Sequence, residues 1–318
     1  MKITLLEPLG ISDDILETYA TELRKKGNDF VAYDTKTSDP AELIVRTGDS
    51  DIVIIANTPY PDAVVKAAPN LKLLNVAFTG IDHIGQQACR QKGVTVCNAA
   101  GYSTQCVAEL ALGLTVSCLR SLPICDLNTR AGGTGAGLRG GEIFGKTVGI
   151  VGTGAIGTAV ARIFLAFGAR VIAYSRTVRP GLESIGVKYV SLDELMKESD
   201  IVSVHVPSNA ETKGMISAER IALMKPSAIL INAARGAVVD NEALAEALNA
   251  GEIAGAGIDV YDMEPPIPDN YPLRNAKNTV LTPHVAFDTQ ESMLRRAEIV
   301  FANVDAYLAG KPQNICRL

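Results

Sequence analysis

The sequence predicts an α/β protein made of two Rossmann-like units, each a doubly wound parallel sheet, with the smaller unit discontinuous. Three observations carry this expectation. Apolar runs of strand length alternate with helical patterns along the whole chain, as in successive βαβ units. The 318 residues suffice for about two domains. A glycine signature, "GIVGTGAIG", stands at the head of a second βα series rather than the first.

Taken in order, the first third gives strands at "KITLLEP", "DIVIIAN", "LKLLNVAF" and "VTVCNA", with a helix "DDILETYATELRKKG" between the first two. Residues 104–122 read as one long helix, too apolar for a surface element and expected to connect two domains. The second series places strands at "TVGIVG", "RVIAYS", "DIVSVHV", "AILINAA", "AGAGIDV" and "TVLTPH". A capping box at Ser191 to Glu194 opens one helix. Asp240 caps another, with Gly251 just past its end. Asp288 and Glu291 frame the last helix, "TQESMLRRAEIVFANVDAYLAG". Its length and apolar face send it back to the first domain. The expected limits are therefore 1–99 with 287–318 for the smaller unit and 100–286 for the larger.

Composition narrows the function classes. An apolar content of 47% with 20% charged residues is that of a globular protein, and a net charge of -5 leaves no basic footprint for nucleic acid. The start, "MKITLLEPLG", reads as a first strand and not as a signal peptide. Glu109 and Arg162 interrupt the best apolar runs, so none approaches the roughly 20 residues of a membrane span. Six cysteines without a C-x-x-C pair point to reduced thiols, a cytoplasmic location and no metal site.

In the glycine signature, Gly152, Gly154 and Gly157 form G-x-G-x-x-G between an apolar strand and a helical run. Glycine is needed there for the tight turn, for close approach of backbone to a pyrophosphate, and for helix–strand packing. The pyrophosphate would sit on the helix N-terminus, where free N–H groups and the dipole favour an anion. Just upstream, "GGEIFGKT" matches the P-loop pattern, but it runs directly into a strand and opens no helix. That match is a coincidence.

The chain has three histidines. His205 lies inside a core strand and reads as structural; His83, near a loop, could face a cleft. His284 follows Pro283 at the carboxyl end of a strand, where ligands bind in open α/β sheets, and imidazole suits proton exchange near neutral pH. Arg235 stands just past another strand end, with Gly236 allowing the turn; its planar fork suits a carboxylate. Glu264 follows a third strand and could steady and orient the imidazole.

These stretches resemble the D-isomer-specific 2-hydroxyacid dehydrogenases over essentially the whole chain. The likeness rests on "AFTGIDHI", "NAAGYSTQCVAELAL", "GKTVGIVGTGAIG", "VHVPSNAET", "INAARGAVVD", "GIDVYDMEPP" and "LTPHVAFDT". The resemblance implies reversible reduction of a 2-keto acid, with Arg235 on the substrate carboxylate, His284 as acid/base and Glu264 as its partner. It puts Asp259 at the nicotinamide side and Thr79 with Gly80 on the substrate loop. It also implies cofactor contacts at Gly152, Gly154, Ala155, Ile156, Gly157, Ser175, Arg176, Val206, Pro207, Ala233 and Ala234, besides Arg235, Asp259 and His284. The smaller unit becomes the substrate domain, the larger the dinucleotide-binding domain, and a homodimer assembles through the latter. The chain leaves no room for the extra regulatory domain of some phosphoglycerate dehydrogenases. Glyoxylate, hydroxypyruvate, pyruvate and bulkier 2-keto acids are the candidate substrates. The rival class is a dinucleotide-sensing corepressor, against which the intact Arg235, Glu264 and His284 argue.

Three departures from the family pattern matter. "HVAFDT" replaces a run of small residues, so Phe287 is expected to narrow the substrate pocket. The loop before "GKTVGIVG" lacks a tryptophan common there. The strand "RVIAYS" ends in Ser175 and Arg176 instead of the carboxylate that holds the ribose hydroxyls and repels a 2′-phosphate. Ser175 removes that repulsion, and Arg176, with Arg179 close behind, can pair with a phosphate dianion. NADP is therefore expected over NAD. The alternative is that both arginines are solvated surface residues and NAD serves.

Overall fold

The computed structural model describes residues 1–318. They form two compact units, Met1–Ser103 with Asp288–Leu318, and Thr104–Phe287. Phe287, expected in the smaller unit, thus belongs to the larger. There its carbonyl accepts from Cys106 Sγ at 3.5 Å, and its ring packs with Cys106, Val107, Ala233 and Ala286.

The smaller unit begins β1 (Lys2–Leu5), α1 (Asp13–Lys25), β2 (Asp29–Ala32), α2 (Pro40–Thr47), β3 (Ile52–Ile55), α3 (Asp62–Ala67), β4 (Leu73–Val76), α4 (Gln86–Lys92), β5 (Thr95–Asn98). Its strands make a parallel sheet in the order β2-β1-β3-β4-β5. β3 and β4 are buried at every position, which is why they read as unbroken apolar runs. β2 went unforeseen. It is an edge strand that buries only Phe30, so its sequence carries no apolar run.

The larger unit continues α5 (Thr104–Arg120), α6 (Leu122–Arg130), β6 (Thr147–Val151), α7 (Ala155–Ala166), β7 (Arg170–Tyr174), α8 (Pro180–Glu183), β8 (Lys188–Tyr189), α9 (Leu192–Glu198), β9 (Ile201–Val204), α10 (Ala218–Ile221), β10 (Ile229–Asn232), α11 (Asn241–Ala250), β11 (Gly255–Ile258), β12 (Thr279–Leu281). These strands form a second parallel sheet, β12-β11-β10-β9-β6-β7-β8. The strand order reverses between β6 and β9, and such a switch point opens a crevice beyond the strand ends. Ile229 and Ile231 enter one core and Leu230 the other, the alternation of a strand covered on both faces.

The helix expected over residues 104–122 is broken. Ser121 adopts a left-handed conformation (φ 50°), and α6 leaves at 58° to α5. No residue of α6 is buried, and Leu122, Ile124 and Leu127 are exposed. No single helix is long and apolar enough to cross a membrane. Of the predicted caps, the Ser191 side chain accepts from Glu194 N, Asp240 Oδ1 accepts from Ala243 N, and Gly251 is left-handed (φ 73°).

The last helix, α12 (Gln290–Leu308), belongs to the smaller unit. Its cap differs from the expectation. Thr289 in extended conformation puts its hydroxyl on Ser292 N, and Ser292 Oγ accepts from Thr289 N in return, so Asp288 and Glu291 do not frame it. A buried amide network ties α12 to the sheet: Asn75 Nδ2 donates to Val300 O (2.8 Å), and Asn303 Nδ2 to Asn98 O (2.9 Å). Phe301 stacks on Tyr19 at 4.1 Å.

Candidate active site

In the larger unit the residues singled out above follow the carboxyl ends of six consecutive strands, β7, β6, β9, β10, β11 and β12. β6 ends in the glycine turn. Gly152 has φ 98°, and a Cβ there would lie 2.7 Å from Val206 Cγ1, just after β9. A Cβ on Gly157 would lie 1.9 Å from Gly152 O. At Gly154, by contrast, a Cβ would meet nothing within 4 Å. Gly154 caps α7 without a side chain, and the first N–H groups of that helix, at Ala155, Ile156 and Gly157, have no partner within the helix. A closed turn behind and an open one in front fit a dinucleotide pyrophosphate. Pro207 follows Val206, and its carbonyl is fixed by the Thr212 hydroxyl. "GGEIFGKT" leads into β6 without a helix, as its rejection as a P-loop requires.

At the end of β10, the buried Asn232 shapes the turn Ala233–Ala234–Arg235. Its Oδ1 accepts from Ala234 N and its Nδ2 donates to Arg235 O, both at 3.0 Å. Arg235 is half-buried, and its Nη1 donates to Ala234 O at 2.8 Å. Gly236 is required for a reason the sequence did not give. Its φ is not positive, but a Cβ would lie 2.0 Å from the carbonyl carbon of Tyr261. Close approach of two backbones, rather than turn conformation, selects glycine here.

At the ends of β11 and β12 the structure brings Glu264 and His284 together. His284 Nδ1 lies 2.8 and 3.0 Å from the two Glu264 oxygens. The imidazole is largely buried, its side chain 11% exposed, whereas Glu264 is 53% exposed. The carboxylate at Nδ1 orients the imidazole. His284 itself has φ 58°, an unusual backbone for a non-glycine residue. The Phe287 ring stands edge-on to the imidazole at 5.3 Å.

Asp259 explains how that backbone is held. It is fully buried, and its carboxylate accepts from Thr282 Oγ1 (2.6 Å), Val285 N (2.9 Å) and Ala286 N (2.9 Å). Burial pushes its pKa up, and the three donors pull against that rise. The clamp encloses His284 on both sides in sequence. Neither this role nor that of Asn232 was read from the sequence; an asparagine closing "AILIN" before "AARG" was the available turn signal.

The remaining histidines serve their own units. His205, half-buried just past the end of β9, has Nε2 2.8 Å from Ser203 Oγ, and desolvation of its ring pushes its pKa down to about 4. His83 lies in the smaller unit, its Nε2 2.9 Å from Ala56 O. Thr79 and Gly80 lie there too, on the loop after β4. Thr79 O accepts from Asn98 Nδ2, and the Thr79 hydroxyl is buried without a partner.

At the end of β7, Ser175 is half-buried and Arg176 is exposed. Arg176 Nη1 donates to Glu211 Oε2 at 2.6 Å. Arg179 Nε donates to Thr153 O at 3.3 Å, and its backbone N donates to Tyr189 Oη at 3.1 Å. Both arginines are exposed at the surface.

Residues 112–286 match the family model described as "D-isomer specific 2-hydroxyacid dehydrogenase, NAD binding domain". The chain belongs to this family. It is 34% identical to a hydroxypyruvate reductase of Blautia hydrogenotrophica, with 99% of each chain covered. Among solved structures, an acyclic imino acid reductase in complex with NADPH and D-Arg superposes with a TM-score of 0.89 at 31% identity, with 100% of each chain covered. A D-lactate dehydrogenase from Aquifex aeolicus, complexed with NAD and lactic acid, gives a TM-score of 0.85 at 30% identity, covering 98% of this chain and 96% of that one. This dehydrogenase is accordingly an NAD(P)-dependent oxidoreductase of 2-keto and 2-hydroxy acids. Nothing in these relatives supports a corepressor.

Proposed function

We propose that this dehydrogenase reduces a small 2-keto acid with His284 as the acid, Glu264 as its orienting partner and Arg235 as the carboxylate clamp. The observation that carries the reading is the His284–Glu264 contact at a strand end in line with the glycine turn. When bound, the reduced nicotinamide supplies a hydride to the carbonyl carbon. His284 holds a proton at Nε2 and delivers it to the carbonyl oxygen, while Glu264 steadies the imidazolium through Nδ1. Arg235 grips the carboxylate with two parallel hydrogen bonds and draws charge from the neighbouring carbonyl. Asp259 serves the nicotinamide end by fixing the loop on both sides of His284. Thr79 and Gly80 line the substrate loop.

Ala233, Ala234, Val206 and Pro207 complete the cofactor contacts begun by the glycine turn. NADP is favoured over NAD, because Ser175 presents no charge to a 2′-phosphate and two arginines follow it. Phe287, edge-on to His284, favours short substrates such as glyoxylate, hydroxypyruvate or pyruvate. Two chains pair through the larger unit: α6 exposes Leu122, Ile124 and Leu127, and a groove of about 290 Å³ beside Phe144 and Phe167 is lined mostly by apolar atoms. Six free cysteines suit a reducing, cytoplasmic setting. A panel of 2-keto acids assayed with NADPH and NADH by nicotinamide absorbance tests the reading. Turnover of short members is expected, and tight cofactor binding with no turnover on any member would overturn it.

A further inference from the structure

Two charged residues meet across the glycine turn. Arg176 follows β7 and Glu211 follows β9, and β6 runs between those two strands. The Arg176–Glu211 hydrogen bond, 2.6 Å long, joins residues 35 apart in sequence. The turn that presents Glu211 is stiff. Asn209 Oδ1 accepts from Glu211 N (2.9 Å) and Thr212 N (3.1 Å), and the Thr212 hydroxyl accepts from Asn209 N while donating to Pro207 O. Both charged side chains are mostly exposed, 74% and 67%, so the bond between them is weak and exchangeable.

We propose that Glu211 is a specificity-determining residue for the cofactor, holding Arg176 when no 2′-phosphate is present and competing with that phosphate for the guanidinium. The proposal rests on the reading that the adenosine ribose lies beside Ser175 and Arg176. A phosphate monoester carries close to two negative charges and three strong acceptor oxygens, so it displaces a single carboxylate. The displaced Glu211, anchored by its turn, stays near the phosphate and repels it. An NADH ribose makes no such demand. Glu211 therefore lowers the advantage for NADPH that Arg176 confers.

The test is the pair of dissociation constants for NADPH and NADH, read from nucleotide fluorescence at low and high salt. The proteins are wild type, Glu211→Gln, Arg176→Ala and the double variant. Glu211→Gln is expected to shift the ratio about threefold to fivefold towards NADPH, the size of a lost exposed-pair competition. High salt should shrink the shift, and the Arg176→Ala background should abolish it. An unchanged ratio overturns the proposal, as does an equal shift in the Arg176→Ala background, which would make Glu211 act without the arginine. A wild type that binds NADH the more tightly overturns only the preference for NADP. If Glu211→Gln still moves the ratio through Arg176 in that case, the role of Glu211 stands.

Discussion

The Asp259 carboxylate and the Thr282 hydroxyl meet at 2.6 Å, two residues ahead of His284. With Val285 N and Ala286 N on the same carboxylate, the contact fixes the backbone on which the imidazole is mounted. Asp259→Asn replaces one acceptor oxygen with a donor facing donors, so the loop must shift. Turnover is expected to fall about 10²-fold, as when a reacting group moves by an ångström. The nucleotide dissociation constant should move far less. If turnover per folded molecule is unchanged and only the melting temperature drops, Asp259 is structural and nothing more.

His284→Ala is expected to reduce turnover by about 10²–10⁴-fold, the usual contribution of a general acid. Cofactor affinity should barely change. Glu264→Gln keeps the shape but removes the charge opposite Nδ1, so its loss should be smaller and fall on kcat rather than on KM. A His284→Ala variant with more than half the wild-type rate would remove His284 from the chemistry.

Arg235→Lys should raise the KM for the keto acid sharply, since an ammonium cannot reproduce the two-pronged grip. Turnover should fall as well if the guanidinium polarises the carbonyl. Unchanged kinetics would assign the carboxylate to another group.

Two glycines of one turn should respond differently to alanine. At Gly157 the new methyl would collide with Gly152 O, a backbone atom that cannot step aside, and a loss of about 1–3 kcal/mol in stability is expected. At Gly154 the methyl enters open space, so the melting temperature should hold while nucleotide affinity falls. Equal effects on folding at both positions would contradict the geometry.

His205 gives a pH prediction with a definite sign. Burial pushes its pKa down to about 4 in the folded chain, while the unfolded chain has the ordinary value near 6.5. Between those values the unfolded state binds the extra proton, so stability is full above the upper value and is lost as pH falls through the window. The loss approaches about 3 kcal/mol at the lower end. Denaturant midpoints from pH 7 to pH 4.5 should therefore decline less steeply for His205→Gln than for wild type. Parallel declines would mean that His205 titrates normally.

Legibility in the sequence followed burial and chain distance. Strands such as β3, β4, β9 and β10 are buried at every position, and their apolar runs announced them. β2 and β8 were missed, because an edge strand with one buried residue and a two-residue strand leave too little pattern. The break at Ser121 did have a signal, since Pro123 sits in the first turn of α6, and proline within a helical pattern marks a boundary. His284, Glu264 and Arg235 were readable singly, from residue type at strand ends. The Asp259 clamp and the Arg176–Glu211 bond were not, because each joins residues more than 20 apart, and nothing local in either partner names the other.

The interruption of the smaller unit sets an order of events during synthesis. Residues 1–103 leave the ribosome first, yet Asn75, Asn98 and Tyr19 receive their partners from α12 only after the whole of 104–287 has been made. The larger unit is contiguous and needs nothing from later sequence for its own sheet. Domains complete themselves as their residues become available. The nucleotide-binding half, second off the ribosome, is thus the first able to finish, and the half that was started first must wait with the Asn75 side chain unpaired until the last helix arrives.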